Sequence, residues 1–288
     1  MTETPEPSDH ERSDHVPSDH EASDHEPSDH VPSDHVPSDH VPNDHELAHW
    51  LAQQAGEQLQ ALSNEMEESR AGYLHREMAG DQLSHRYLTG ALAQLRPDDT
   101  VLSEEGRDDG TRLAAERVWI VDPLDGSSDY ADQWSDTWAV HVGLAVNGEP
   151  AAGAVSVPPW GRTFSTMSPD GPPADSGRKR PLVVMSRSRV RWDGHRLARH
   201  LDADVYGVGS AGVKAMAVVT GEADAWVHAG GLYEWDTCAP AAIALAAGLH
   251  VSHLDGSPLC YNRRDLAQWG ILICRPELAS DLKAAFAA

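Results

Sequence analysis

The chain has 288 residues, a formal net charge of −24 and three cysteines. A field of that sign repels nucleic-acid phosphates and anionic membrane surfaces, so neither is expected as a partner. Cys238, Cys260 and Cys274 are an odd number without C-x-x-C spacing, which argues against a disulfide framework or a structural zinc site and suits a reducing, cytoplasmic compartment.

The opening MTETPEPSDH has no cationic stretch ahead of an apolar run, and nowhere do 18 uncharged apolar residues run together, so neither a secretory signal nor a membrane span is expected. Residues 6–45 are eight consecutive five-residue units ending in Asp-His, from EPSDH to VPNDH. Recurrent proline and the lack of apolar residues to bury predict a disordered, extended tail over 1–45. Residues 1–45 hold 13 acids against one Arg, half of the net charge, and the eight His could chelate zinc or nickel loosely.

Order is expected from residue 46. Leu47, Trp50, Leu51, Ala55, Leu59 and Leu62 recur at helical spacing, with Asn43 or Asp44 available as the cap. A second stripe, Leu83, Tyr87, Leu88, Ala91, Leu92 and Leu95, predicts a helix that starts after Gly80-Asp81 and stops before Pro97. Short β-rich runs follow at 118–121, 138–146 and 154–157. Residues 168–181 then turn rich in Ser, Pro, Gly and charge, an exposed loop and domain junction. Beyond it, strands near 182–185, 205–206, 225–229 and 271–275 alternate with helices ending at Leu201 and spanning about 211–220 and 237–247. The pattern predicts an α/β protein: a tail (1–45), an α+β part (46–175) and an α/β part (176–288).

The chemistry concentrates where apolar runs end in acids. Trp119-Ile120-Val121 runs into Asp122-Pro123-Leu124-Asp125-Gly126-Ser127, two carboxylates with a carbonyl between them, a donor set for hard cations. Gly126 lets backbone N–H groups approach an anion, and Ser127 adds a hydroxyl. Glu104-Glu105 end another apolar run, and Asp236 opens an Ala-rich helix. Gly207 to Gly212 also fits the GxGxxG spacing of a dinucleotide site, but it lies late in the chain and lacks the expected second strand ending in an acid. The alternative outside enzymology is a metal-binding scaffold in which the His tail is the working part, and the intact acid set argues against it.

Taken together, VLSEE at 101–105, DPLDGSS at 122–128, SRSR at 186–189, GSAGVK at 209–214 and EWDTCAP at 234–240 resemble, in the same order, the magnesium-dependent inositol monophosphatase family and its bisphosphate nucleotidase branch. The resemblance implies a layered sugar-phosphatase fold in which Glu104, Asp122, the Leu124 carbonyl, Asp125 and Asp236 hold two or three Mg2+ ions. It implies a catalytic group of Asp81, Ser127 and Glu104, with Asp81 pairing to the Ser127 hydroxyl, and a substrate pocket of Gly126, Ser127, Arg187, Ser210 and Lys214. The substrate it implies is a small phosphomonoester, adenosine 3',5'-bisphosphate ahead of inositol monophosphate or fructose 1,6-bisphosphate, and a homodimer is compatible with it. Two positions depart from the family pattern: Ser127 stands where Thr is usual, and Ser128-Asp129 where a basic-acidic pair is usual. Five acids would repel a phosphate, so the cation is obligatory for binding.

Overall fold

The computed structural model describes residues 41–70, 72–169 and 177–287. Most of the repeat tail (1–40) and the junction expected near 175 lie outside the described residues. The last repeat unit, VPNDH, leads into the first helix, α1 (Asp44–Ser69). Asn43 Oδ1 accepts from the His45 and Glu46 amides at 3.0 Å, and Glu46 Oε2 accepts from the Asn43 amide at 2.9 Å, a reciprocal capping box. Asp44 pairs with Arg96 at 3.2 Å and Arg117 at 3.1 Å, anchoring the helix start to the body.

Helix α2 (Tyr73–Leu95) corrects one expectation: it begins well before Gly80-Asp81, which lie in its middle. Gly80 is not a breaker here but a contact point. A Cβ there would come within 2.7 Å of the Tyr130 ring and 2.9 Å of Leu124 Cδ2, so only glycine lets the helix approach that closely.

The first sheet has the order β1-β2-β3-β4-β5, from β1 (Thr100–Ser103), β2 (Arg117–Asp125), β3 (Ala139–Val146), β4 (Glu149–Val157) and β5 (Arg162–Ser165). Strands β1 and β2 run parallel and the rest antiparallel; β2 and β3 pair from Arg117↔Val146 to Asp122↔His141, with a register break before Asp125. A short helix, α3 (Ser127–Ala131), follows β2. The second sheet has the order β7-β6-β8-β10-β9, from β6 (Leu182–Ser186), β7 (Asp204–Val208), β8 (Ala225–Tyr233), β9 (His250–His253) and β10 (Ala267–Cys274). Its parallel core β7-β6-β8 is linked by α4 (Val190–Leu201) and α5 (Ala211–Val219); α6 (Glu234–Ala246) leads from β8 to β9, and α7 (Ala279–Phe286) closes the chain.

Side-chain alternation sorts the strands into three cores. Trp119 and Val121 of β2 pack with Leu47, Leu51, Leu88 and Leu92 of α1 and α2. Val118 and Ile120 face the other way, into a central core where α5 and α6 lie between the sheets against Trp226 and Ile271. Val227 and Leu272 join Leu197 of α4 and Leu282 of α7 on the outer face. The layers therefore run helix, sheet, helix, sheet, helix, and the central core draws on both halves of the chain.

Helix α6 lies directly on β3 and β4 because two glycines leave room. A Cβ at Gly143 would be 2.9 Å from the Ala239 nitrogen, and one at Gly153 would be 2.9 Å from the Ala239 Cα and carbonyl oxygen. Backbone cannot step aside as a flexible side chain can, so Gly153→Ala should destabilise the fold by about 1–3 kcal/mol. A shifted urea midpoint with an unchanged slope is the expected reading. All three cysteines are free, and no helix among the described residues is long and apolar enough to cross a membrane.

Candidate metal centre

Strand β2 stays buried to its end, and its ladder with β3 breaks between Asp122 and Asp125, at Pro123-Leu124. The Leu124 amide donates to Asp122 Oδ1 at 3.1 Å, which fixes the first carboxylate against its own turn. Gly126 then adopts φ 86°, and a Cβ there would meet the Thr137 carbonyl at 2.9 Å, so the turn needs glycine on both counts. Parallel β1 ends beside β2 and hands over to Glu104, whose amide donates to the Val121 carbonyl at 3.3 Å. From the second half of the chain, β8 runs straight into α6 and places Asp236 in its first turn, where Oδ2 accepts the Tyr233 amide at 2.6 Å.

Asp122, Asp125 and Asp236 can each direct a carboxylate oxygen so that all three lie within 4.8 Å of one another. Burial and the neighbouring charges of Glu104, Asp125 and Asp236 push the Asp122 carboxyl far above the usual range. Burial and Asp125 push Asp236 up to about 7, and burial with Glu105 and Asp125 raises Glu104, which also shares a hydrogen bond with Asp122. Closely spaced oxygen donors that repel one another, Asp122 and Asp125 buried and Asp236 partly exposed, fit a hard divalent cation.

Asp125 is held differently. Burial pushes its carboxyl up, but His141, Lys214 and Ser210 outweigh that and keep it ionised well below the usual range. Ser210 Oγ donates to Oδ2 at 2.5 Å, the Gly212 amide to Oδ2 at 2.7 Å and the Ala211 amide to Oδ1 at 3.0 Å. The N-terminus of α5 thus grips a carboxylate from the first sheet. That arrangement, rather than a dinucleotide, explains the Gly-rich approach to α5.

The other expected site residues are distributed as follows. Asp81 lies on α2, and burial with Glu105 and Glu77 raises it to about 7. The Ser127 hydroxyl donates to Glu77 Oε1 at 3.3 Å rather than to Asp81. Glu77 is one turn ahead of Asp81 and escaped sequence reading because the helix was expected to start after Gly80. Arg187, just beyond β6, has a side chain 55% exposed; it donates to Asp129 at 2.6 Å and to Thr137 Oγ1 at 2.8 Å. Its guanidinium supplies, from the other half of the chain, a cation beside the Ser128-Asp129 step.

Lys214 departs from expectation. It is 3% exposed, and its ammonium donates to the carbonyls of Gly209 (3.1 Å), Val208 (3.4 Å) and Ser210. It fastens the turn before α5 rather than reaching a substrate anion. Ser210 likewise meets Asp125 rather than open space, at φ 50°, a conformation that non-glycine residues rarely adopt. Two histidines complete the region: His141 against Asp125, and His228, whose Nδ1 lies 3.2 Å from Ser186 Oγ and which burial and Lys214 push down to about 4.

Carboxylates gathered from both halves of the chain form an acidic cluster that could hold a metal ion. The sequence model of the Inositol monophosphatase family matches residues 46–287, and the chain belongs to that metal-dependent family. A Mycobacterium tuberculosis protein named 3'-phosphoadenosine 5'-phosphate phosphatase is 44% identical over 218 residues, 73% of this chain and 81% of that protein. The Escherichia coli 3'(2'),5'-bisphosphate nucleotidase CysQ is 31% identical over 198 residues, 65% of this chain and 80% of its own. Among solved structures, CysQ from Bacteroides thetaiotaomicron superposes with a TM-score of 0.66 at 25% identity, covering 80% of this chain and 96% of that one.

Proposed function

We propose that the chain is a magnesium-dependent phosphatase that hydrolyses the 3'-phosphate of adenosine 3',5'-bisphosphate to AMP and inorganic phosphate, as in sulfate assimilation. What carries this reading is the cluster of Asp122, Asp125 and Asp236 on a chain 44% identical over 218 residues to a protein named for that substrate. In it Glu104, Asp122, the Leu124 carbonyl, Asp125 and Asp236 would hold two or three Mg2+ ions. When bound, the ions supply an acidified water and neutralise the phosphoryl and leaving oxygens.

The protein's own groups do the rest. Water oxygen bonds to phosphorus as the bond from phosphorus to the ribose 3'-oxygen breaks, and that oxygen takes a proton. Asp81, which burial and the charges of Glu105 and Glu77 raise to about 7, accepts the proton that the water loses. Gly126 lets the turn after Asp125 close against the Thr137 carbonyl. Arg187 stands at the rim with half of its side chain in water and meets the second phosphate by exchanging Asp129 for it. Ser210 and Lys214 act through the α5 turn and Asp125 rather than by touching substrate.

A phosphate-release panel tests this directly. The bisphosphate should be hydrolysed fastest, inositol monophosphate and fructose 1,6-bisphosphate more slowly, and all three should fall to background in excess chelator. Arg187→Ala should raise KM for the bisphosphate about 10- to 100-fold, the loss of one charge-assisted hydrogen bond, and leave inositol monophosphate unchanged. Fastest turnover on inositol monophosphate would overturn the substrate choice, and full activity in chelator would overturn the cation reading.

A further inference from the structure

His141 sits in the central core with none of its surface in water. An imidazole among Val155, Ala139 and other apolar side chains costs free energy unless its nitrogens are satisfied. Its strand needs no such residue, because the pairings Asp122↔His141 and His141↔Val155 are made by backbone. Each ring nitrogen faces an acceptor oxygen. Nδ1 lies 3.0 Å from the Trp235 carbonyl oxygen, and Nε2 lies 3.0 Å from Asp125 Oδ2. A carbonyl oxygen only accepts, so Nδ1 carries the hydrogen that the Trp235 carbonyl receives. The approach to Asp125 is a close charge contact rather than a well-directed hydrogen bond, since Nε2 makes none.

The ring is also wedged in place. A Cβ at Gly212 would fall 2.2 Å from Nε2, so the first turn of α5 presses its backbone against the imidazole. One side chain on β3 thereby touches the carboxylate that ends β2, the turn that opens α5, and the residue immediately before Asp236 on α6. Groups that orient a ligating carboxylate commonly set metal affinity by about 10- to 100-fold.

We propose that His141 is a positioning residue for the cation site: it holds Asp125 against α5 and ties it, through the Trp235 carbonyl, to the turn that carries Asp236. This rests on reading Asp122, Asp125 and Asp236 as a cation cage. The test is direct binding of Mn2+, a spectroscopically visible stand-in, to the full chain, with free Mn2+ read by electron paramagnetic resonance. His141→Leu fills a similar volume without either polar contact and should raise the Mn2+ Kd about 10- to 100-fold. His141→Gln, which extends an amide toward Asp125, should recover most of the affinity. In turnover, His141→Leu should need more Mg2+ for half-maximal rate, while KM for the bisphosphate at saturating Mg2+ stays at the wild-type value. If His141→Leu does not fold, His141→Asn, which retains an amide for the Trp235 carbonyl and withdraws from Asp125, makes the same comparison. Mn2+ affinity equal to wild type in a folded variant would make His141 a packing residue and overturn the proposal. Absence of Mn2+ binding by the wild-type protein would overturn the cage reading and the proposal together.

Discussion

Asp125→Asn and Asp236→Asn should both abolish turnover, yet only Asp125→Asn should destabilise the metal-free protein. Asp125 is the acceptor for Ser210 Oγ and the Ala211 and Gly212 amides, and the counter-charge to His141. An amide keeps the shape but turns an NH2 toward at least one of those donors, and it removes the carboxylate that the buried His141 ring faces. Removing one member of a buried pair costs about 3–5 kcal/mol. Asp236 is in the reverse position: burial and repulsion from Asp125 hold its carboxyl near 7, so at pH 7.5 its charge works against the fold. Asparagine there keeps an oxygen for the Tyr233 amide and relieves the repulsion. Urea unfolding at pH 7.5 in chelator should therefore show Asp125→Asn far less stable than wild type and Asp236→Asn equally or more stable. Equal losses in the two variants would contradict the division between a paired and an unpaired carboxylate.

The pH dependence of the metal-free protein should run opposite to that of an ordinary acid-labile protein. Asp81 and Asp236 titrate near 7 in the fold, against about 3.9 for an unperturbed aspartate. Between those values the folded state holds more protons than the unfolded one, so stability falls as pH rises and levels off above about 7. His141, raised by its contacts with Asp125 although burial alone would lower it, adds stability that is complete below its ordinary 6.5 and is lost above its raised value. Asp125 is ionised throughout and leaves the slope unchanged. Divalent cation should reverse the trend, because it binds the deprotonated cage: at 100 times its Kd it adds about 2.7 kcal/mol. Melting temperatures from pH 4.5 to 8, in chelator and in Mg2+, would show it. A chelated protein that grows more stable toward pH 8 would remove the basis for the raised carboxyls.

Much of this site could be read from sequence because its acids punctuate apolar runs. Val118 to Val121 reads as a strand, Asp122 and Asp125 end it, and the structure places both in the cage. Asp236 was legible as a helix-opening acid for the same reason. What the sequence hides is which partner each group finds. His141 looks like one more residue of a strand, and nothing local shows that the ring reaches Asp125, sixteen positions earlier and from a different strand. Lys214 falls beside a plausible anion site in sequence, yet its helix face turns it inward, where burial lowers its pKa to about 8. Gly80 has the composition of a helix start, but the reason for it is a contact with Tyr130 far along the chain, and misplacing that helix start concealed Glu77. Strands β5 and β9 have only four residues each, too few for a period to emerge, and their identity comes from their neighbours in the sheet.

The grip of α5 on Asp125 also bears on how the protein is assembled. The first sheet supplies Glu104, Asp122 and Asp125; the second half supplies Asp236 and the amides and hydroxyl that orient Asp125. A nascent chain that has emerged only as far as β5 carries three of the acids but neither the fourth nor the donors that aim them. On the proposed function, cation capture is therefore expected late in biosynthesis, once both sheets have closed on the central helices. Separately expressed halves should be unable to hold the ion, and its uptake on mixing them would report reassembly of the whole.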